Sequence, residues 1–354
     1  MSEKVLMKGN EAIAEAAIAA GCRHFFGYPI TPQTEVAAYM SKRMPKIGGV
    51  YLQGESEIAS INMVMGAGAA GVRVMTSTSS PGISLMSEGI SYIAGMEVPC
   101  LIVNVQRAGP GLGGIQPSQS DYFQATKAMG HGDFHLIVLA PSTVQETVDM
   151  VSGAFDLGDK YRMPVMVLSD GMLGQMMEPV ALPQAKEIDN DSKTWAASGH
   201  KNKRKHNVIN SLNTDPPTLE RLNRERFEKY AEIVEKEQRS EEYLCDDADI
   251  IIVAFGASSR VSRSAVDRAR AEGMKVGLLR PITLWPYPEK AIRKHVGHAK
   301  KFLSVEMNMG QMVYDVKLAV DGKKPVEFFG RTGGMIPTAN EVYAKIKEMN
   351  GGAQ

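Results

Sequence analysis

Residues 54–71, GESEIASINMVMGAGAAG, open with two carboxylates and then run almost wholly through small and apolar side chains. Acids in the first turn of a helix complement the partial positive charge of its N-terminus, and that alone would account for Glu55 and Glu57. It does not account for an acid standing at the mouth of a run of Ile, Met, Val, Ala and Gly. A carboxyl against such a wall loses hydration, and desolvation raises its pKa. The stretch predicts a buried helix over 57–70 with a protonatable group at its start.

Reading outward, strands and helices alternate with regularity. Candidate strands are HFFGYP (24–29), VYLQ (50–53), VRVMTST (72–78), CLIVNVQ (100–106), LIVLA (136–140) and PVMVLS (164–169). Between them lie helical patterns over 33–44, 57–70, 84–96, 118–129 and 143–158, after a first helix over 8–21. Several strands are nearly continuous apolar runs, as expected when both faces are covered, so the pattern is α/β with a doubly wound parallel sheet. Ligands in such sheets sit beyond the carboxyl ends of the strands, which puts the turns at Thr31, Glu57, Ser79–Gly82 and Arg107 on one edge. Thr31-Pro32 reads as an N-cap followed by a proline at the first helical position.

From Leu182 to His206 the chain turns polar and loses period, which reads as a long loop whose basic cluster, Lys201, Lys203, Arg204 and Lys205, is solvated. Asp215-Pro216-Pro217 then opens a bridging helix to about Tyr243. A second α/β alternation starts at Asp249, with strands IIIVAFG, KVGLLRP, KFLSVEM and VEFFG. The expected division is a first domain over 1–182, a polar linker and bridging helix over 183–246, and a second domain over 247–354.

Composition narrows the function. The 354 residues carry 40 basic and 40 acidic side chains, so there is no basic excess for a nucleic-acid surface. No apolar run reaches membrane-spanning length and no signal-peptide pattern opens the chain, so a cytoplasmic location is expected. Cys22, Cys100 and Cys245 lie far apart and form no CxxC pair, so neither a disulfide framework nor a zinc or iron-sulfur motif is encoded, and no metal site is expected here.

Individual motifs are ambiguous. Gly109–Gly114 matches GxGxxG after a strand, but Pro110 and Pro117 interrupt it and no acid follows at the dinucleotide spacing, so it reads as a loop lining a pocket. Ser169-Asp170-Gly171 lacks the Asn-Asn pair that a diphosphate and magnesium motif needs, and reads as a strand-end turn. His131, in Gly130–Asp133, is a loop histidine that could help a substrate but is more often incidental. Arg107 ends an apolar strand at the ligand edge, where a guanidinium needs a carboxylate, a phosphate or a carbonyl network.

Taken together, GYPITPQTE (27–35), residues 54–86, VNVQRAGPGLGG (103–114), LRPITLWPYP (279–288) and EMNMGQMVYDV (306–316) resemble the alpha subunits of the 2-oxoacid:ferredoxin oxidoreductases. The resemblance implies a first domain like the pyrimidine-binding domain of thiamine diphosphate enzymes and a second like the transketolase carboxyl-terminal domain. It selects Glu57 over Glu55 as the group that shares a proton with the cofactor's aminopyrimidine ring. It makes Tyr28, Pro29, Ile30, Ser79 and Gly82 cofactor-binding positions, Thr31 a hydrogen-bonding partner of substrate, and Arg107 the holder of the substrate carboxylate. Coenzyme A is the implied co-substrate. The same resemblance implies a beta subunit carrying the diphosphate and Mg2+ site, gamma or ferredoxin-like delta subunits carrying iron-sulfur clusters, and ferredoxin as acceptor.

In members that resemble 2-oxoglutarate enzymes, a threonine stands nine positions after the arginine; here that place is Gln116. The loop around it and residues 206–230 look more like the branched-chain (3-methyl-2-oxobutanoate) subfamily, with Gln116 and His131 as possible substrate contacts. The same reaction on 2-oxoglutarate or pyruvate is the nearest alternative, and two readings of other classes compete: a noncatalytic scaffold subunit, and a nicotinamide-binding dehydrogenase resting on the glycine loop.

Overall fold

The structure, a computed structural model, describes residues 4–351. Its strands are β1 (Lys4–Lys8), β2 (His24–Gly27), β3 (Val50–Gln53), β4 (Val74–Thr78), β5 (Cys100–Gln106), β6 (Ile137–Leu139) and β7 (Pro164–Asp170). They continue with β8 (Met177–Ala181), β9 (Ser240–Tyr243), β10 (Ile250–Val253), β11 (Val276–Pro281), β12 (Thr283–Trp285), β13 (Lys301–Glu306) and β14 (Val326–Gly330). The helices are α1 (Gly9–Ala19), α2 (Thr34–Arg43), α3 (Glu57–Ala69), α4 (Ser80–Gly95), α5 (Tyr122–Thr126) and α6 (Val144–Tyr161). After them come α7 (Gly171–Gln175), α8 (Pro216–Lys236), α9 (Gly256–Ala271), α10 (Glu289–His295), α11 (Met312–Val320) and α12 (Ala339–Met349).

The first sheet has seven strands in the order β12-β6-β7-β5-β4-β2-β3. Every pairing except β12 with β6 is parallel. β5 and β7 are buried along their whole lengths, which explains their nearly continuous apolar sequence. Because β5, β4, β2 and β3 are successive neighbours, their carboxyl ends place Arg107, Ser79, the Tyr28–Thr31 turn and Glu57 in a row along one edge. The second sheet runs β14-β13-β10-β11-β9, parallel apart from the edge strand β9.

Several expectations are corrected. β1 and β8 form a separate antiparallel pair that alternation had not revealed. The bridging helix ends at Lys236, and residues 240–243 are strand, because Ser240–Tyr243 pairs with β11. The helix expected over 118–129 shrinks to five residues, since Ser118, Gln119 and Ser120 instead bond across to the second half of the chain. Thr31 is not an N-cap: the helix starts at Thr34 behind Gln33.

The two halves are not independent. β12 lies within 247–354 yet forms the edge of the first sheet, and the larger apolar core draws Phe255, Leu284, Phe302 and Val316 into contact with residues of the first sheet. A smaller core, built on Ile250, Ile252, Leu303 and Ile346, belongs to the second sheet alone.

Candidate active site

Helix α3 begins where the sequence turns from polar to small and apolar. Ser56 is its N-cap, accepting a hydrogen bond from the Ala59 N–H at 3.2 Å. The two acids separate at this boundary: Glu55 precedes the cap and is exposed, while Glu57 is the first helical residue and is 5 % exposed. No hydrogen-bond donor among the described residues reaches the Glu57 carboxylate.

Gly82, in the first turn of α4, is the residue that leaves room for it. A Cβ there would stand 2.7 Å from Glu57 Oε1 and 2.0 Å from Thr78 Oγ1. The Thr78 and Ser79 hydroxyls at the end of β4 are buried and have no partner. A buried acid without a donor, beside buried hydroxyls without partners, costs stability unless something else engages it. A cradle kept open by a glycine and lined by unsatisfied acceptors fits a polar heterocycle.

Arg107 is 7 % exposed and directly follows β5. Its Nη1 donates to the Thr31 carbonyl at 3.0 Å and its Nη2 to the Leu112 carbonyl at 3.3 Å, while Nε has no acceptor. Among the described residues no carboxylate pairs with it, so the guanidinium is held in place by neutral carbonyls and keeps its charge for an incoming anion. The Thr31 side chain is exposed at the same edge, and Tyr28, Pro29 and Ile30 are only partly covered.

A group that the sequence reading missed fixes the Arg107 backbone. The Arg107 N–H donates to Ser80 Oγ at 3.0 Å, and Ser80 Oγ donates to Asp121 Oδ2 at 2.6 Å. Asn104 Nδ2 also donates to that oxygen at 2.9 Å, and the Asp121 N–H is held by Gln106 Oε1. Burial pushes the Asp121 carboxyl up, and the bonds from Ser80 and Asn104 pull it partly back. The sequence pattern put Asp121 inside a helix and Ser80 ahead of one, and nothing local links residues so far apart in sequence.

Arg107, Ser80 and Asp121 line a cleft of about 630 Å3 whose far wall comes from the second half of the chain: Asn308, Met309, Gln311 and Thr332. The two walls are stapled by Gln119, fully buried, whose Nε2 donates to the Phe255 carbonyl at 2.7 Å and whose Oε1 accepts from Ser258 and the Met307 N–H. Gln311 Nε2 adds a bond to the Ser120 carbonyl at 2.7 Å. Asn308 and Gln311 are thus bonded to the first half of the chain, and Glu306 to the start of α11.

Two expected contacts stand apart from the cleft. Gln116 is exposed on the glycine loop, where its carbonyl accepts from the Ala108 N–H and its side chain packs close to Gly334. His131 is exposed on the flank of α4, its N–H bonded to Ser91 Oγ and its ring edge-on to Tyr92. Asp170 caps α7 through the Met172 and Leu173 N–H groups, as a strand-end turn would.

Comparison with known proteins agrees with this layout. Residues 15–244 match the family described as pyruvate flavodoxin/ferredoxin oxidoreductase, thiamine diphosphate-binding, and residues 248–342 match pyruvate:ferredoxin oxidoreductase core domain II. The chain is 51 % identical to ketoisovalerate oxidoreductase subunit VorB of Methanothermobacter thermautotrophicus over 98 % of each chain. It is 39 % identical to 2-oxoglutarate synthase subunit KorA of Methanothermobacter marburgensis over 99 % of this chain and 100 % of the relative. Among solved structures, the 2-oxoglutarate:ferredoxin oxidoreductase from Magnetococcus marinus, with 2-oxoglutarate, coenzyme A and succinyl-CoA bound, superposes with a TM-score of 0.88 at 34 % identity. That match covers 98 % of this chain and 65 % of the other. A split-gene transketolase, at 13 % identity and a TM-score of 0.60, shares the fold.

Proposed function

Because the chain belongs to the thiamine diphosphate-dependent 2-oxoacid:ferredoxin oxidoreductases, we propose that it is the alpha-type subunit of an enzyme that oxidatively decarboxylates a branched-chain 2-oxoacid to its acyl-CoA, passing electrons to ferredoxin. The observation that carries the cofactor reading is the buried Glu57 carboxylate, free of donors and given space by Gly82. When bound, thiamine diphosphate supplies the nucleophilic carbon and the electron sink. Glu57 holds a proton against the aminopyrimidine ring, in a pocket from which α3 and α4 exclude water. Ser79 and the Tyr28–Ile30 turn shape the same cradle.

The substrate carboxylate is bound by Arg107, whose position depends on Thr31, Ser80 and Asp121, and the exposed Thr31 hydroxyl hydrogen-bonds the substrate. The diphosphate and Mg2+ belong to a beta subunit and the iron-sulfur clusters to further subunits. Support for the latter comes from Cys22, Cys100 and Cys245, which are separately buried and whose thiols burial pushes up to about 12, the opposite of the thiolate a cluster requires. Preference for a branched acyl group rests on the higher identity to the ketoisovalerate relative; 2-oxoglutarate is the second reading, favoured by the structural neighbour.

The test is coenzyme A-dependent reduction of a viologen by the assembled complex with each oxoacid in turn. 3-Methyl-2-oxobutanoate is expected to give the highest kcat/KM, and equal or faster turnover of 2-oxoglutarate would overturn the substrate choice. Full activity after replacement of Thr31, Glu57 and Arg107 would turn the chain into a scaffold.

A further inference from the structure

At the opposite end of β5 from Arg107, the polar linker folds over the last turn of α4 and the middle of α8. It encloses a cavity of about 510 Å3 lined by Arg162, Trp195, Asn207, Arg226 and Lys229 among others. An adjoining cavity of about 300 Å3 shares Glu97, Arg162 and Lys229 with it. The acids on these walls are already committed: Glu97 pairs with Lys229 at 2.6 Å, Glu225 with Arg221 at 2.6 Å and Glu232 with Lys236 at 2.7 Å.

Two guanidinium groups remain without an anion. Arg226 is 9 % exposed, and its hydrogen bonds go to neutral acceptors, the Gly95 carbonyl at 3.2 Å and Asn223 Oδ1 at 2.6 Å, with Nε unsatisfied. Arg162 is half-buried, lies over the Trp195 ring at 4.6 Å and makes no hydrogen bond or ion pair among the described residues. Taking a cation out of water without a counter-charge is costly. Two of the other buried arginines avoid that cost, Arg73 by meeting Asp156 and Asp159 and Arg280 by meeting Glu146 and Glu241. The third, Arg107, likewise lacks a carboxylate and lies in the cleft assigned to substrate.

We propose that this cavity binds the phosphate group of a small phosphorylated metabolite, with Arg162 and Arg226 as its charged contacts. Guanidinium forks match the geometry of a tetrahedral oxyanion and form charge-assisted hydrogen bonds to it. The linker residues that roof the cavity, Trp195 and His206–Asn210, have no part in the cleft at the other end of α4, so the site stands or falls independently of the reaction assigned above.

Calorimetric titration of inorganic phosphate and of pyrophosphate into the assembled complex, saturated beforehand with thiamine diphosphate, tests this. One saturable site per copy of this chain is expected, weakened roughly tenfold or more by Arg162→Gln or Arg226→Gln, as the loss of a charge-assisted hydrogen bond implies. Viologen reduction by the Arg162→Gln complex is expected to match wild type. Arg162 makes no hydrogen bond or ion pair to lose, so that variant decides the matter if the Arg226 variant fails to fold. Absence of saturable binding, or equal affinity in wild type and Arg162→Gln, would overturn the site.

Discussion

Two buried glutamates divide the molecule into a part that is finished and a part that is not. Glu306, at the end of β13, is fully buried and accepts four hydrogen bonds: from the Gln311, Met312 and Val313 N–H groups at 2.8–3.0 Å and from Ser304 Oγ at 2.8 Å. It ties the end of β13 to the start of α11. Glu57, 5 % exposed at the start of α3, accepts none. Burial of a carboxylate is common to both, so burial does not separate structure from function here. Satisfaction does: the acid whose partners lie within the chain holds the fold together, and the acid whose partners are missing awaits a ligand.

The contrast breaks in a definite order of effects. Glu57→Gln should lower turnover of the assembled complex by about 10²–10⁴-fold, the range for loss of a positioned proton-transfer group, with an unchanged unfolding midpoint. Glu306→Gln should do the reverse. Its amide presents an NH2 where the main-chain donors need an acceptor, so urea denaturation should report a loss of about 1–3 kcal/mol. Gly82→Ala sharpens the comparison from the side of space. The new Cβ would collide with Glu57 Oε1 and Thr78 Oγ1, and the concentration of thiamine diphosphate needed for half-maximal activity should rise about tenfold, on the order of one displaced polar contact.

The smallest effect concerns a third acid that is satisfied but peripheral. Burial opposes ionisation of Glu237, but hydrogen bonds from Lys160, Tyr161 and Arg239 outweigh it and hold the carboxyl at about 2, against an ordinary 4.5. A folded-state pKa below the unfolded one gives stability that is present above pH 4.5 and is lost as pH falls toward 2. With Lys160 and Arg239 half in water, about 1 kcal/mol is expected after screening. Glu237→Gln should flatten that part of the acid-denaturation curve.

Local pattern carried most of the fold. Six of the seven strands of the first sheet, the α3 start and the edge on which Glu57, Ser79, Thr31 and Arg107 line up were legible, because periodicity and capping act over a few residues. Features set by distant pairing were not. β12 is three residues long and is a strand only because β6 lies beside it. Ser118–Asp121 reads as helix by pattern but is pulled into loop geometry by Gln119 bonding to Phe255 and Met307. The Ser80–Asp121–Asn104 brace was hidden for the same reason, since its members are 17 to 41 residues apart. Glu57 could be read as a candidate from its apolar neighbours, whereas its lack of a donor is visible only in three dimensions.

The account turns on whether Glu57 governs a proton on thiamine diphosphate. In the assembled complex, the rate at which the carbon-bound proton of the bound thiazolium ring exchanges with deuterium oxide measures this without substrate or electron acceptor. The exchange should be slowed by orders of magnitude in Glu57→Gln and remain at the wild-type rate in Glu55→Gln. Equal exchange in all three proteins would contradict the role given to Glu57.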